Sequence, residues 1–290
     1  MRKIQLDESK LIKMYENGDS TIKIAKVFNC AVGTINKRLK KLGVKMKSNK
    51  EYRTKYSFDH NFFETINTEE KAYWLGFMYA DGNIRKRKNQ SVIQIKVNDH
   101  EIIEKFIKSI NGNMSVSHYT NWVGKTISAI HLTSDKMFND LIKQGCIPNK
   151  SLVLTFPNKH QVPENLINHF IRGYFDGDGS INYGIREKYS VRKKQNIKRL
   201  NINAQFIGTK EMLTVINNCV NFNGLEKEKR RDSNTWYIRT SALSNIKSFY
   251  EYLYSNATIY LSRKKTKIWR NFFIHRRSET IIEDPMRVKV

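Results

Sequence analysis

Two short segments of the sequence end in similar acidic pairs and hold the residues best suited to chemistry. Residues 73–84 read YWLGFMYADGNI and residues 170–181 read FIRGYFDGDGSI, which places Asp81 and Asp178 at equivalent positions, 97 residues apart. Two carboxylates that meet in one site repel each other unless a cation lies between them. An all-oxygen site of this kind suits Mg²⁺, and metal ions held there can activate water and stabilise a leaving oxygen.

The two aspartates are expected at the C-terminal ends of two helices that pack side by side. Glycine directly after each aspartate is typical of a helix C-terminus. Small residues allow two helix backbones to approach closely, and they recur four apart, on one helical face, in both segments. These pairs are Gly76 with Ala80 and Gly173 with Gly177. Such packing would bring Asp81 and Asp178 together, with the main-chain carbonyls of Ala80 and Gly177 as further metal ligands.

Further landmarks indicate an internal duplication. Residues 132–134 (LTS) match residues 239–241 (RTS), each opening a helix, and residues 148–150 (PNK) match residues 262–264 (SRK). Residues 91–97 and 200–207 alternate apolar and polar residues, as β-strands do. Landmarks repeated in the same order with a period near 100 residues predict two fused half-domains rather than a solenoid.

The paired segments resemble the LAGLIDADG motif, and residues from about 58 to 270 resemble the homing endonucleases of that family. The resemblance implies an α+β fold of two αββαββα half-domains, at residues 58–165 and 166–275, forming a pseudo-symmetric saddle of antiparallel strands. It implies that Asp81 and Asp178 bind the divalent ions with which the protein cuts both DNA strands across the minor groove, leaving short 3′ overhangs. Lys150 and Lys264 resemble the family's lysine near each scissile phosphate, where such a charge orients water or offsets developing negative charge.

The second segment keeps the motif better than the first. Tyr79 stands where the family has its first aspartate, whereas Asp176 retains it, and Leu75 and Arg172 replace an alanine. None of these is the expected ligand position, so the metal site is not challenged. An arginine at or near the helix seam is nevertheless unexpected.

The charge of the chain indicates a polyanionic partner. Lys and Arg number 52 against 27 acids, giving a net charge of +25 and an isoelectric point near 9.9. Such an excess is typical of proteins that bind nucleic acid. Basic segments precede the strands of both half-domains, and two glutamines lie on the strands. Together they predict DNA contacts by Arg85, Lys86, Arg87, Lys88, Gln94, Arg192, Lys193, Lys194, Lys198 and Gln205.

The N-terminal region reads as a separate small domain at residues 1–45. Residues 6–43 predict three short helices, with Ser20 capping the second and Gly43 ending the third. A tight turn followed by a basic helix is typical of a helix-turn-helix, whose second helix enters the major groove. A three-helix cap with solvated lysines is the alternative. The predicted DNA contacts are Thr34, Asn36, Lys37 and Lys40, followed by a basic linker at 46–57; residues 276–290 form a predicted tail.

Several other classes of protein are disfavoured. Cys30, Cys146 and Cys219 are widely spaced, which argues against a disulfide framework or a zinc site. The N-terminal residues lack the apolar run of a signal peptide and no segment has the length of an apolar membrane span, so we expect an intracellular protein: in bacterial or phage-infected cytoplasm or nucleoid, or in an organelle matrix. Because both predicted half-domains are fused in one chain, we expect a monomer. No obligate protein partner or membrane contact is expected.

Three functional alternatives share this fold. A transcription regulator that has lost cleavage would not need both Asp81 and Asp178. An intron maturase would bind structured RNA, whose narrow major groove a helix-turn-helix does not read. An intein is disfavoured because Val290 does not supply the His-Asn ending that splicing requires.

Overall fold

The computed structural model describes residues 6–17, 19–46, 56–88, 90–190, 194–222, 226–227 and 234–269. The chain divides into two compact units, Met1–Ser57 and Phe58–Val290. Arg192, Lys193, most of the predicted linker and the predicted tail lie outside the described residues, so their roles stay predictions. Within the described ranges, no helix is long and apolar enough to cross a membrane.

The described residues of the first unit form three helices: α1 (Glu8–Glu16), α2 (Thr21–Val27) and α3 (Val32–Lys41). The Ser20 side chain accepts a hydrogen bond from the Lys23 amide at 3.2 Å, which confirms the predicted N-cap of α2. Gly43 has a φ of 71° just beyond α3, a conformation that glycine adopts without strain. The small core consists of Leu6, Leu11, Tyr15, Ile24, Ala25, Ile35 and Leu39.

The second unit repeats one order of elements. Its first half contains α4 (Glu69–Ala80), β1 (Gly82–Arg87), β2 (Gln90–Val97), α5 (His100–Ser109), β3 (Ser117–Thr120), β4 (Thr126–Thr133) and α6 (Asp135–Lys143). Its second half contains α7 (Ile167–Asp178), β5 (Ser180–Ser190), β6 (Gln195–Gly208), α8 (Lys210–Val220), β7 (Glu226–Lys227), β8 (Trp236–Thr240) and α9 (Leu243–Tyr254), followed by α10 (Ser262–Trp269). Short 3-10 turns lie at Lys150–Leu152 and Glu164–Leu166. The predicted αββαββα order is confirmed in both halves.

Each half builds one antiparallel sheet, ordered β1-β2-β4-β3 in the first and β5-β6-β8-β7 in the second. The strands alternate between a face that joins the helical core and a face that does not. On β2, Ile93 and Ile95 are buried in the core, whereas Gln94 and Lys96 point to the opposite side. We call this second side the open face of each sheet.

Helices α4 and α7 pack against each other at backbone distance. A Cβ atom added to Gly76 would lie 2.0 Å from the Phe170 carbonyl oxygen, and one added to Gly173 would lie 1.9 Å from that of Tyr73. Because the 97-residue offset relates Tyr73 to Phe170 and Gly76 to Gly173, the two contacts are reciprocal. The predicted close approach is confirmed, and the seam has local two-fold symmetry.

The strand registers correct one predicted match between the halves. Gln94 pairs with His131, and Gln205 pairs with Arg239. His131 therefore corresponds to Arg239, and the Ser134 that caps α6 corresponds to the Ala242 that precedes α9. The predicted match of residues 132–134 with 239–241 is wrong by one residue. It aligned a Thr-Ser pair by residue type, whereas hydrogen-bonded register decides which positions are equivalent.

Candidate active site

Asp81 and Asp178 lie where the two seam helices end. Asp81 is the C-cap residue of α4, and Asp178 is the last residue of α7. A Cβ atom on Gly177 would lie 2.3 Å from the Ala80 Cβ and 3.5 Å from Asp81 Oδ2, so the two helix ends touch. Asp81 is half-buried and Asp178 remains exposed on one side, so a ligand can reach the pair.

The surrounding protein disfavours charge on both carboxylates. Burial raises the pKa of Asp178 to about 6, and the neighbouring Asp81 carboxylate adds to the shift. Burial likewise raises the pKa of Asp81, although the positive charges of Lys264 and Lys150 oppose the change. The exposed edge of Asp178 keeps some solvent contact, so the shift comes from dense packing around the rest of its side chain. Two coupled acids with raised pKa values form a site that gains from a bound cation.

Lys150 and Lys264 are buried and donate hydrogen bonds to equivalent main-chain carbonyls at the ends of the seam helices α4 and α7. Lys150 Nζ donates to the carbonyl oxygens of Ala80 at 3.1 Å and Gly82 at 2.5 Å. Lys264 Nζ donates to the equivalent oxygens of Gly177 at 3.2 Å and Gly179 at 2.6 Å. A cation is favourable there because carbonyl groups left unpaired at a helix C-terminus carry partial negative charge. Burial lowers the pKa of Lys264 to about 8.

Tyr79 and Asp176 tie their helices to the end of their own half-domain. The Tyr79 hydroxyl donates to the Gln144 carbonyl at 2.7 Å, just after α6. Asp176 accepts from the Tyr254 hydroxyl at 2.7 Å and from the Leu261 amide at 2.7 Å, around the end of α9 and the segment that follows it. Both side chains therefore tie their helix to the end of its own half, and Asp176 in addition accepts from the Tyr73 hydroxyl of α4 at 2.9 Å.

Arg172 is fully buried and serves as a structural hub. Its guanidinium donates to the carbonyl of Ile259 at 2.9 Å, the carbonyl of Leu253 at 2.8 Å and Glu69 Oε1 at 2.7 Å. A buried charge is tolerated when it is paired and hydrogen-bonded in this way. The unexpected arginine thus joins α7 to the start of α4, to the end of α9 and to the segment after it. None of these contacts is with Asp81 or Asp178.

The predicted DNA contacts on the first sheet divide between its two faces. Arg85, Arg87 and Gln94 lie on the open face, because residues two apart share a face and Gln94 pairs with the neighbouring Asn83. Lys86 points to the helical side, where its Nζ lies 5.6 Å from the ring centroid of Phe138. The structure therefore separates Lys86 from the arginines on either side of it.

The remaining predicted contacts lie at the hairpin turns or on the second sheet. Lys88 and Lys194 both occupy the left-handed region, each with a φ of 48°, in the turns between β1 and β2 and between β5 and β6. Gln205 pairs with Ser180 and Arg239, in the register of Gln94. The backbone of Lys198 belongs to β6, but its side chain lies outside the described part of the structure.

Sequence reasoning missed further side chains of the open faces. Lys96, Tyr119 and His131 lie on that side of the first sheet, with Lys96 Nζ 4.7 Å from the Tyr119 ring centroid. Arg239 takes the position of His131 on the second sheet. The alternation of buried and polar residues along β4 and β8 carries this signal, since His131 stands between buried Ile130 and buried Leu132.

Helix α3 separates its apolar and basic residues. Ile35 and Leu39 are buried in the small core. Lys37 and Lys40 are exposed, and Thr34 and Asn36 are half-buried. The predicted contacts thus lie off the buried face, which leaves Lys37 and Lys40 accessible to a partner.

The groups at this site that could bind a metal ion are oxygen atoms. Over the described ranges, no three His, Cys, Asp or Glu side chains converge in a way that would hold a metal ion. The two aspartates fit a hard divalent cation, whose other ligands would be main-chain carbonyls, water and substrate oxygens. The carbonyls of Ala80 and Gly177 adjoin them and already accept hydrogen bonds from the two lysines.

Comparison with known proteins identifies the class to which this fold belongs. Residues 171–273 match the family model described as LAGLIDADG endonuclease. The structure of the I-LtrWI LAGLIDADG homing endonuclease bound to target DNA is similar with a TM-score of 0.51 and 11% identity, over 74% of this chain and 93% of that chain. A lysine-to-alanine mutant of I-SmaMI gives a TM-score of 0.50 at 13% identity, over 73% and 92% of the two chains. No curated protein sequence matches significantly. The chain therefore has the fold of LAGLIDADG homing endonucleases, and its second half carries the family's sequence pattern.

Proposed function

We propose that this protein is a site-specific endonuclease that cuts both strands of duplex DNA, leaving short 3′ overhangs, and so mobilises its host element. One observation carries the proposal: α4 and α7 touch at the ends that carry Asp81 and Asp178, and the two carboxylates are close enough for the charge of Asp81 to raise the pKa of Asp178. The similarity to a homing endonuclease solved with its target DNA supports duplex DNA as the substrate. The net charge of +25 also favours a polyanionic substrate.

Asp81 and Asp178 are the residues that would hold divalent cations, with Mg²⁺ the expected ion. Metal ions supply Lewis acidity, lowering the pKa of water and neutralising a leaving 3′ oxygen. The carboxylates must be ionised to bind a cation, and the raised pKa of Asp178 indicates that the protein alone disfavours that state. Cation binding and ionisation of this pair are thus coupled.

Lys150 and Lys264 would act mainly by positioning. Their ammonium groups donate to the main-chain carbonyls of the residues before and after each aspartate. These hydrogen bonds fix the backbone from which each carboxylate side chain extends. Their charges also contribute a positive field at the site, as the pKa effects on Asp81 indicate. A preorganised field of this sort stabilises negative charge that develops on a phosphate during cleavage.

The two halves would act within one chain, so the cutting unit would be a monomer on a target with little palindromy. The first unit would add a second DNA contact through α3, whose accessible lysines suit major-groove phosphates and bases. Tethering such a module raises affinity through effective concentration even when each contact is weak. A protein partner is not needed for this activity.

The test begins by selecting cleaved sequences from a library of randomised duplex DNA. We expect double-strand breaks with Mg²⁺, binding without cleavage with Ca²⁺, and one protein chain per cleaved site in analytical ultracentrifugation. Cleavage that is equal with and without a divalent ion would contradict the two-carboxylate site. Sequence-specific binding without cleavage in Mg²⁺ or Mn²⁺ would instead indicate a transcription regulator, and tighter binding to structured RNA would indicate a maturase.

A further inference from the structure

The open faces of the two sheets carry equivalent rows of side chains beside a central glutamine. On the first sheet, Gln94 of β2 lies between Asn83 of β1 and His131 of β4. On the second sheet, Gln205 of β6 lies between Ser180 of β5 and Arg239 of β8. The registers make Gln94 and Gln205 equivalent, so the side chains around them can be compared position by position.

The first row forms a hydrogen-bonded network. Arg85 Nη1 donates to Gln94 Oε1 at 3.1 Å, and Gln94 Nε2 lies 2.7 Å from His131 Nε2. Arginine has only donors, so the amide oxygen of Gln94 faces Arg85 and its NH₂ group faces the imidazole. His131 must then accept through Nε2, which makes it neutral with its proton on Nδ1. Burial and the nearby charges of Arg85 and Lys96 lower the pKa of His131, in agreement with a neutral ring.

Arg85 is not fully satisfied by this network. Its Nη1 also contacts Asn83 Oδ1 at 3.2 Å, but its Nε is shielded from solvent and has no partner among the described residues. A buried donor without an acceptor costs free energy. Rotation of this side chain away from the sheet, toward an acceptor on a ligand, would remove that cost. Arg85 is thus held close to the sheet but gains from an external acceptor.

The second row places its arginine on the other side of the glutamine. The 97-residue offset makes Asn182 the equivalent of Arg85, and the registers make Arg239 the equivalent of His131. Arg239 is exposed, with its guanidinium 5.3 Å from the ring centroid of Tyr237 on the same face. The halves therefore share the central glutamine but exchange the strand, β1 in one and β8 in the other, that supplies the arginine.

We propose that Arg85 and Arg239 select guanines at non-equivalent positions of the two half-sites, because the halves hold these arginines on opposite sides of the central glutamine. This inference rests on the proposed function, since it requires duplex DNA across the open faces. Arginine pairs with the O6 and N7 atoms of guanine through two hydrogen bonds, whereas a neutral histidine with one free donor does not. The target would be asymmetric at these positions because the protein itself is asymmetric there.

The test exchanges the two differing side chains and measures base preference at every position of the selected target. Arg239→His should remove a guanine preference in one half-site, by about 5- to 150-fold in relative selection. His131→Arg should create a guanine preference at the equivalent position of the other half-site. A gained preference is informative because loss of packing or stability does not produce one.

Lys86→Gln is the matched control for Arg85→Gln. Both variants remove one positive charge from β1, but Lys86 points away from the open face. Arg85→Gln should lose a base preference at one position, whereas Lys86→Gln should leave the preferences unchanged. Unchanged preferences in Arg239→His and His131→Arg, on a site that the wild-type protein selects, would overturn the inference.

Selection by binding in Ca²⁺ separates this inference from the proposed cleavage activity. Shifted preferences in the bound pool, together with no cleavage in Mg²⁺, would support base reading by the rows and contradict the endonuclease. A wild-type protein that shows no base preference in either selection would contradict the inference itself.

Discussion

The two halves of the second unit match at the two glycine contacts of the seam and differ where they face outward. At the seam, a Cβ atom added to Gly76 or to Gly173 would lie only 2.0 or 1.9 Å from a main-chain oxygen of the other helix. On the open faces, equivalent positions carry His131 in one half and Arg239 in the other. The same duplication thus kept one surface and changed another.

Packing density explains the difference. Backbone contact leaves no room for a side chain, so a larger residue at either glycine would force the two helices apart. The open-face residues meet solvent, where one side chain can replace another at little cost to folding. Divergence between the halves therefore accumulates on the surface proposed to meet the substrate, where it changes recognition.

The largest expected effect on the equivalence of the halves comes from changing either aspartate that we propose as a metal ligand. Asp81→Asn and Asp178→Asn should each reduce double-strand cleavage at least about 10³-fold, since each removes one preorganised charge from the site. DNA binding in Ca²⁺ should survive both changes. Cleavage rates on a supercoiled plasmid with one target site provide the measurement. Normal cleavage by one variant would mean that the halves are not equivalent and that its aspartate is not a ligand.

A change at the seam should have the next largest effect. Gly173→Ala places a methyl group against the Tyr73 carbonyl and should lower the free energy of unfolding by about 3 kcal/mol. Gly184→Ala is the matched control, because nothing lies within 4 Å of its added Cβ. Urea denaturation followed by circular dichroism would compare the two variants. Equal stability of both would show that the helices separate easily and that the seam is not constrained.

The two carboxylates should also differ in their effect on stability without metal. Asp178 has a folded pKa of about 6 against an ordinary value of 3.8, so folding favours its protonated form. The folded state consequently loses stability as pH rises through this interval, and the penalty is complete above it. In EDTA at pH 8, Asp178→Asn should stabilise the protein by about 1 kcal/mol after allowance for its solvent contact.

The same comparison at low pH completes this test. Near pH 4 the gain from Asp178→Asn should largely disappear, because the wild-type carboxyl is then protonated in the folded state. Asp81→Asn should have a smaller effect at pH 8, since the lysine charges are the largest influence after burial on the pKa of Asp81, whereas for Asp178 that place belongs to the Asp81 carboxylate, which raises the pKa further. Thermal unfolding at the two pH values provides the measurement. A stabilisation independent of pH would contradict the ionisation mechanism.

The smallest expected effect concerns the first unit. Replacing both Lys37 and Lys40 by glutamine should reduce the slope of log affinity against log salt by about 1.8, if each lysine neutralises one phosphate. Replacing Lys10 and Lys13, which lie on α1, removes the same charge and should leave the slope unchanged. Fluorescence anisotropy with the selected duplex would measure both slopes. Equal slopes for the two double variants would favour the three-helix cap over the DNA-binding interpretation.

The sequence contained enough information to predict the repeated order of elements and the seam. Both depend on local patterns, namely the four-residue spacing of small residues and the alternation along strands. The match at residues 132–134 was wrong by one residue, because register is a property of paired strands and is not visible in either strand alone. The side of the sheet to which Lys86 points follows from the same pairing.

The environments of Lys150 and Arg172 were not predictable from sequence. Lys150 donates to carbonyls about 70 positions earlier in the chain, and Arg172 reaches Glu69, 103 positions away. Nothing in the local pattern around either residue specifies such partners. Long-range contacts of buried charges depend on how whole elements pack, so only the folded chain reveals them.

The contact between Ala80 and Gly177 has a consequence for how newly made chains pair their halves. The structure has room for one methyl group at this point, since a second Cβ would lie 2.3 Å from the first. If α4 of one chain met α4 of another in the same geometry, two alanine methyls would collide, whereas two copies of α7 would leave a gap. A single carbon atom therefore disfavours both kinds of self-pairing relative to the native pairing. Neighbouring chains on a polysome are thereby disfavoured from pairing like halves, α4 with α4 or α7 with α7.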